Sequence, residues 1–431
     1  MFSRSKMLIL VTGMCGLTFL LAPVAHAITI TIAEVRGDAA FVKGTDADRK
    51  QEIFWEGVYA TTAKGKGSFS FEGELPAICV PGDCVGTLTA GADSITVPIA
   101  FPPGEPAVGE LDLVDEQPAA HGGAAVRAVG FATDGAGGAG VVSGGNDSHL
   151  RNWTLELSQQ IDRSLPNIIY DLDVSTDWNL VATGEGGWNG SAGADTFRIW
   201  QTGGMQLLQS QAPAVGYVYS VVLSPDNEWA IATGFYGELA VHQTSSLQLY
   251  DTTATKKKRT RALDFSPDGG LVASASTRGI QLRSFPQDGD CVPGDCQLDL
   301  RASLNHSGSW SFSTVFAPYS TLLNIELASA TDSGTIKIWT VEDLDTNPTV
   351  SVRSVDSPPV YALAWSPDGT RIVAAGDRDI SVYDSTDLSI LFRKVDAHAG
   401  RVNDVAVSLD SSMIVSGGAD GALKLWTLPT P

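Results

Sequence analysis

Two cysteine pairs have the types and spacing that most clearly permit chemistry. Each pair closes a copy of one hexapeptide, Cys-Val-Pro-Gly-Asp-Cys, at residues 79–84 and 291–296. A Pro-Gly turn between two cysteines brings their Cβ atoms within bridging range. A metal site is the alternative, but two cysteines at this spacing lack the usual four-ligand set. The pattern therefore predicts two local disulfides, Cys79–Cys84 and Cys291–Cys296, and an oxidising compartment.

The histidines give little indication of catalysis. Neither His149 nor His242 has an acid and a nucleophile beside it in the sequence. The chain contains no Gly-x-Ser-x-Gly elbow, no His-Glu-x-x-His, no Cys-x-x-Cys-His and no phosphate-binding loop. Catalytic residues can still converge from distant segments, so a spatial constellation stays open.

A repeated pattern must position any site. Seven cycles each run through a hydrophobic strand, a Ser-Pro-Asp-Gly-like turn, a strand rich in alanine and serine, a tight turn and a strand with an aromatic-type ending. The endings are 47, 42, 43, 54, 44 and 43 residues apart, at Trp153, Trp200, His242, Phe285, Trp339, Tyr383 and Trp426. A period of ~40–45 residues is typical of four-stranded propeller blades. The chain is therefore predicted to be all-β, with a seven-bladed β-propeller.

These cycles resemble the repeats of the WD-repeat (WD40) family. The first and last cycles match the family pattern best, at His121, Ser143, Asp147 and Trp153 and at His398, Ser416, Asp420 and Trp426. In that family the four residues of one blade form a buried hydrogen-bonded chain, because a buried indole and carboxylate both need partners. The resemblance implies structural roles for these residues. The third, fourth and sixth cycles lack the histidine, so we expect their blades to rely on packing alone.

Residues 1–27 have the pattern of a signal peptide. Arg4 and Lys6 precede an apolar stretch, and Ala25-His26-Ala27 is a small-x-small cleavage signature. The apolar stretch, from about Met7 to Leu21, is shorter than the ~20 residues that a spanning helix needs. We therefore expect an exported protein, periplasmic or extracellular, without membrane insertion after cleavage.

The segment 28–103 alternates polar and apolar residues, as half-buried strands do. It predicts a small β-sandwich, for which an immunoglobulin-like arrangement is one option. The prolines that follow predict a stiff linker at residues 104–108, and the propeller then occupies residues 109–431. The last cycle has three strands, so we expect a strand at Gly109–Val114 to add the fourth and cover the exposed edge.

One face of the propeller is the predicted binding surface, and we name it the entry face. It carries the residues just before the first strands, Ala125, Ile168, Tyr217, Arg259, Trp310, Pro359 and Arg401. Arginine and large aromatics dominate interface hot spots, although ordinary rim residues are the alternative. An inserted loop at residues 185–195 adds Trp188. The basic run at residues 256–259 adds Lys258, either as a solvated loop or as a docking point for an acidic partner.

Two functions from different classes fit these observations. A formal net charge of −21 disfavours nucleic acids and anionic membranes as partners. The WD40 resemblance implies a non-catalytic protein-interaction scaffold without metal or cofactor, and the signal pattern predicts that it is exported. Its predicted binding residues are Tyr217, Arg259, Trp310, Arg401, Trp188 and Lys258. The alternative is a propeller enzyme, lactonase-like or another hydrolase, with a metal in the central channel. Its candidate ligands on the inner strands are Asp171, Asp173, Asp264 and Asp404.

Overall fold

The chain forms two compact units, Met1–Val108 and Gly109–Pro431, in the computed structural model. In the first unit the structure describes the backbone of nine strands. From residue 108 on, it describes residues 108–134, 138–187, 196–212, 216–255, 259–277, 279–286, 291–306, 309–342, 344 and 348–429. The predicted positions Trp188, Lys258, Cys79 and Cys84 lie outside the residues described with side chains.

The nine strands of the first unit form two sheets. The strands are β1 (Met7–Val11), β2 (Leu17–Leu21), β3 (Thr29–Arg36), β4 (Ala39–Thr45), β5 (Glu52–Trp55), β6 (Val58–Thr62), β7 (Ser68–Glu74), β8 (Val85–Ala90) and β9 (Asp93–Pro98). One sheet has the order β1-β2-β3-β4-β7, and the other has the order β6-β5-β8-β9.

The second unit consists of seven four-stranded antiparallel sheets, which confirms the predicted all-β, seven-bladed propeller. Blades one to three contain β11 (Val126–Thr133), β12 (Ala139–Gly145), β13 (His149–Thr154) and β14 (Gln159–Ser164); β15 (Ile168–Val174), β16 (Leu180–Gly186), β17 (Thr196–Gln201) and β18 (Gln206–Gln211); and β19 (Val218–Leu223), β20 (Trp229–Gly234), β21 (Glu238–Gln243) and β22 (Leu249–Ala254). Among the described residues the helical content is one 3-10 turn, Thr202–Gly204, so no helix there could cross a membrane.

The remaining four blades have the same order. Blades four and five contain β23 (Ala262–Phe265), β24 (Leu271–Ser276), β25 (Gly279–Ser284) and β26 (Asp299–Asn305), and β27 (Ser311–Phe316), β28 (Ile325–Thr331), β29 (Thr335–Glu342) and β30 (Thr349–Asp356). Blades six and seven contain β31 (Val360–Trp365), β32 (Arg371–Gly376), β33 (Ile380–Asp384) and β34 (Ile390–Lys394), and β35 (Val402–Val407), β36 (Met413–Gly418) and β37 (Leu423–Thr427), with β10 (Leu113–Gln117) as the outer strand.

The ring closes through its innermost strands. Each of β11, β15, β19, β23, β27, β31 and β35 contacts the next, and β35 contacts β11. At this junction Gly417 permits the close approach, because a Cβ there would lie 2.6 Å from a methyl group of Val126. The second strands are buried along their whole length in blades four and six, which explains their small residues.

The segment before the first blade completes the seventh. Strand β10 pairs antiparallel with β37, with Leu113 opposite Trp426. Leu111 is buried in the core between the last two blades. The paired strand starts at Leu113 rather than at the predicted Gly109, because Gly109 instead bridges to Phe392 in blade six. The segment therefore joins blade six to blade seven.

The buried chains of blades one and seven have one geometry. His398 Nδ1 lies 3.0 Å from an Asp420 oxygen, and its Nε2 lies 2.8 Å from Ser416 Oγ, which accepts from Trp426 Nε1 at 2.9 Å. The carboxylate can only accept, so Nδ1 donates and Nε2 accepts the serine proton. In blade one the corresponding side chains make contacts of 2.7, 2.9 and 2.8 Å.

Blades five and two have altered versions of this hydrogen-bonded chain of side chains. In blade five His306 and Trp339 both bond Ser329 Oγ, at 2.6 Å each. Burial, with Lys337 nearby, lowers the pKa of His306 to about 4. In blade two Trp200 donates to Thr183 at 3.0 Å, and Thr183 donates to Glu185, which pairs with Arg198. Blade two thus has a buried ion pair where blades one, five and seven use histidine.

Blade four corrects two expectations. The strand register places Ser274 opposite Leu263, as Ser416 lies opposite Val405, so the tryptophan position falls on Arg283 and not on Phe285. Arg283 is buried and donates to the backbone oxygens of Leu298 and Ala254, at 2.8 and 3.5 Å. This blade therefore does not rely on packing alone.

The inserted cysteine hairpin of blade four lies against blade three. Cys291 and Cys296 are buried next to each other, with Cα atoms 4.5 Å apart, a separation that a disulfide requires. Gly294 N donates to Tyr250 O at 2.7 Å, and Cys296 N donates to the Asp251 carboxylate at 3.0 Å. The hairpin thus covers part of the outer edge of β22.

Candidate partner-binding site at the channel mouth

One side chain from each blade lines the end of the channel at the entry face, six of them from first strands and Arg261 from directly before its strand. These residues, which we name the mouth ring, are Arg127, Tyr170, Tyr219, Arg261, Phe312, Tyr361 and Asn403. They surround a cavity of about 290 Å³. In six blades the ring residue sits in a β-bulge, where the register with the second strand shifts. A bulge turns a side chain out of the regular alternation, and here it turns each one to the mouth.

The first half of the mouth ring alternates cations and aromatic rings. The Arg127 guanidinium lies 5.7 Å from the centre of the Tyr170 ring. Tyr170 meets Tyr219 edge to face at 5.4 Å, and Arg261 lies 5.1 Å from Tyr219. Contacts of this kind orient both the rings and the guanidinium groups.

The second half continues the pattern. Arg261 lies 5.3 Å from the Phe312 ring, which meets Tyr361 edge to face at 5.4 Å. Arg401 precedes its strand, lies 4.8 Å from the Tyr361 ring and donates to Asn403 Oδ1 at 3.0 Å. Three arginines are therefore held around one opening by rings and amides.

These arginines are held without ion pairs to acidic side chains of the described residues. Among the described residues, no ion pair joins Arg127, Arg261 or Arg401 to a carboxylate. Burial lowers the pKa of Arg127, and repulsion from Arg401 lowers it further. Burial likewise lowers the pKa of Arg261, whose buried Nε has no hydrogen-bond partner. The mouth thus presents desolvated positive charge with unused donors.

Deeper in the channel, carboxylates hold adjacent blades together. Asp171 accepts the backbone N–H of Val221 at 2.9 Å, Asp404 accepts that of Val129 at 2.8 Å, and Asp264 makes the same kind of bond at 2.5 Å. Burial raises the pKa of Asp171 to about 6 and that of Asp264 to about 8. Each carboxylate thereby accepts a hydrogen bond from a backbone N–H of the first strand in the next blade.

The metal-dependent alternative needs acids that converge. Within the described part of the chain, no three His, Cys, Asp or Glu side chains lie close enough together to hold a metal ion. Asp173, the fourth candidate ligand, accepts the backbone N–H of Leu223 at 2.7 Å. The four predicted ligands are thus placed as inter-blade hydrogen-bond acceptors.

The predicted residues Tyr217, Arg259, Trp310 and Arg401 lie around the mouth, but the ring itself is two residues further along most first strands. Trp310 lies 5.9 Å from the Arg261 guanidinium. None of the seven ring residues is among the binding residues predicted from the sequence. The sequence does carry a signal for them. Most first strands begin with a buried aliphatic residue, and the ring residue is the polar or aromatic residue that directly follows it.

An aromatic cluster extends the mouth outward on blade three. Tyr217 lies 6.5 Å from Tyr170 of the ring and 6.4 Å from Phe235, which lies 5.6 Å from Tyr236. Arg259 is exposed and lies 5.0 Å from the Phe235 ring. Tyr236 is 63% exposed. We name Tyr217, Phe235 and Tyr236 the rim cluster, which presents aromatic surface beside the cationic mouth.

Comparison with known proteins relates the repeats to one family. Residues 349–384 and 390–427 match the model of the WD domain, G-beta repeat. The human U5 small nuclear ribonucleoprotein 40 kDa protein is 43% identical over 63 residues, which are 14% of this chain and 17% of that protein. Protein ROOT INITIATION DEFECTIVE 3 of Arabidopsis thaliana is 32% identical over 108 residues, 25% of this chain and 24% of that protein.

One relative matches a longer stretch of this chain at lower sequence identity. Autophagy-related protein 16 of Arabidopsis thaliana is 23% identical over 240 residues, which are 54% of this chain and 43% of that protein. The chain thus spans less than half the length of each of these relatives. The two matched repeats, together with seven four-stranded blades, support the WD40 family for this chain.

Proposed function

We propose that this chain is an exported, non-catalytic WD40-repeat scaffold that binds a protein partner through its entry face. The observation that carries the proposal is the mouth ring together with the adjacent Arg401. Among the described residues Arg127, Arg261 and Arg401 form no ion pair, and they lie against aromatic rings around one opening. Arginine, tyrosine and tryptophan supply most of the binding energy at protein interfaces, where they form compact groups.

The similar proteins support an interaction role by their names. One is named as a component of a small nuclear ribonucleoprotein, and another is an intraflagellar transport protein homologue. We propose for this chain only the general property, attachment to another protein. The negative net charge of −21 makes nucleic acid an unfavourable partner.

The proposal includes export and a second domain. The signal pattern at residues 1–27 and the two Cys-Val-Pro-Gly-Asp-Cys segments support a periplasmic or extracellular location with two disulfides. The alternating pattern of residues 28–103 supports a small β-sandwich before the propeller. Fractionation of the producing cells and N-terminal sequencing of the processed protein test this part, and an intact leader on a cytoplasmic protein would contradict it.

A cross-linking capture experiment tests the binding face. The tagged full chain is captured from its own cells, and wild type is compared with a variant carrying Tyr170→Ala, Arg261→Gln and Phe312→Ala. The control carries Arg163→Gln and Leu323→Ala, which change exposed residues away from the mouth. Partners that are lost from the mouth variant and kept by the control support the proposal. Partners that persist in both would refute this face as the binding site, provided that each variant has the wild-type Tm.

A further inference from the structure

We propose that the mouth ring binds a carboxylate side chain of the partner polypeptide, and that an apolar or aromatic residue next to it packs on the rim cluster. This inference rests on the proposed function and adds the chemistry of the partner.

The arginines select for an anion. Arg127 and Arg401 each use one donor on an asparagine, at 2.8 and 3.0 Å, and Arg261 Nε bonds nothing. Each guanidinium has five N–H donors in a planar fork, which suits the two oxygens of a carboxylate. A carboxylate placed here would also reduce the mutual repulsion that lowers the pKa of Arg127.

The acids beneath the mouth favour a single negative charge over a double one. Asp171, Asp264 and Asp404 line the same cavity as the arginines. Burial raises the pKa of all three, to about 6 for Asp171, which therefore keeps most of its charge at neutral pH, and to about 8 for Asp264. A dianionic phosphate would be repelled by this floor more strongly than a carboxylate. The mouth is therefore better suited to a glutamate or aspartate side chain than to a phosphorylated residue.

The surface beside the mouth favours a polypeptide over a small anion. A small anion would need only the ring, yet aromatic contacts continue from Tyr170 through Tyr217 and Phe235 to the exposed Tyr236. Exposed aromatic side chains contribute large contact areas at low entropic cost. A peptide could place its acidic residue in the mouth and a neighbouring apolar residue on the rim cluster.

A peptide array tests the inference with the purified full chain. Randomised pentapeptides carry a fixed central Glu, Gln, Lys or phosphoserine, and binding is measured for wild type, Arg261→Gln and the control Arg163→Gln. We expect the strongest binding to central Glu, with aromatic or aliphatic residues enriched beside it. Arg261→Gln should weaken that binding about ten- to a hundredfold, because hydrogen bonds to charged groups are the stronger ones. Arg163→Gln should leave it unchanged.

The remaining outcomes would overturn the inference. These are preference for central Gln, Lys or phosphoserine, equal binding to all four sets, no binding, or a Glu preference that survives in Arg261→Gln. Binding to central Glu should also fall as NaCl is raised, because salt screens the charges. If the array shows no preference for acidic peptides while cellular capture still depends on the mouth, the proposed function stands and only this partner chemistry fails.

Discussion

The buried chain of blade seven makes a quantitative prediction about Ser416. Its hydroxyl serves two fully buried groups, Trp426 Nε1 at 2.9 Å and His398 Nε2 at 2.8 Å. Ser416→Ala leaves both groups without a partner. Each unsatisfied buried group costs about 1–3 kcal/mol, so we expect the free energy of unfolding to fall by about 2–6 kcal/mol. That loss is a large part of a typical folding free energy of about 5–15 kcal/mol.

Ser274→Ala is the matched control. Ser274 has the same register position in blade four and is equally buried, but its Oγ makes one long bond, 3.4 Å to Gln281 O. We expect it to cost about 1 kcal/mol or less. Thermal and urea unfolding of both variants measure the difference, and we expect the Tm of Ser416→Ala to fall by about 5–10 °C. Equal losses of unfolding free energy in the two variants would refute the claim that the buried hydrogen bonds of Ser416, rather than packing, stabilise this blade.

A double-mutant cycle isolates the indole bond. Trp426→Phe removes the N–H donor and keeps an aromatic ring in the core. In that background Ser416→Ala leaves only the histidine unsatisfied, so its cost should drop by about 1–3 kcal/mol. If the two substitutions are additive, the serine and tryptophan are not coupled and the assigned geometry is wrong.

Three further predictions test other parts of the propeller. Leu111→Ala should destabilise the protein by about 2–5 kcal/mol because it empties a buried site, whereas Leu113→Ala, at 45% exposed, should cost little; equal urea midpoints would contradict closure by this segment. Asp264 has a raised pKa of about 8, so the folded state binds its proton more tightly and stability falls as pH rises from about 4 through 8; Asp264→Asn should flatten this loss in unfolding curves, and an unchanged pH profile would rule out its origin in this carboxyl group. If Cys291 and Cys296 are bridged, replacing both with serine should cost about 2 kcal/mol, and non-reducing peptide mapping should show the linked pair; free thiols in the purified protein would disprove the bridge.

Local sequence patterns predicted the repeat well because each blade carries its signal within a short stretch. The turn residues and the His–Ser–Asp–Trp pattern each lie within a single blade, and they return with the period of the repeat. In a repeat protein each repeat contacts mainly its neighbours, so such local signals are enough to predict the repeated unit. The prediction was wrong for Phe285, where the register places Arg283 at the tryptophan position. Arg283 and Phe285 are two positions apart and both are buried, so the spacing of the sequence alone could not decide which of them takes the tryptophan position.

The sequence predicted residues beside the candidate site but not the residues of the mouth ring. Tyr217, Trp310 and Arg401 lie beside the mouth, but the ring is formed by residues such as Arg127 and Tyr219, which occupy bulges in the first strands. A bulge depends on the hydrogen bonding between two strands, and a one-sequence pattern of alternation does not reveal it. The four inner-strand acids were likewise candidates for a metal until their bonds to the next blade were visible.

Local sequence patterns were enough to predict the number of blades, the turns between their strands and the residues that form the buried chains of blades one and seven. All of these depend on residues close together in the chain or at a fixed spacing within one repeat. The residues that the seven blades present together at the mouth follow from tertiary structure alone. Ring closure brings residues as far apart as Arg127 and Arg401 to one opening, and the bulges orient the ring side chains there. The charge and shape of the mouth are therefore properties of the closed ring and of no single repeat.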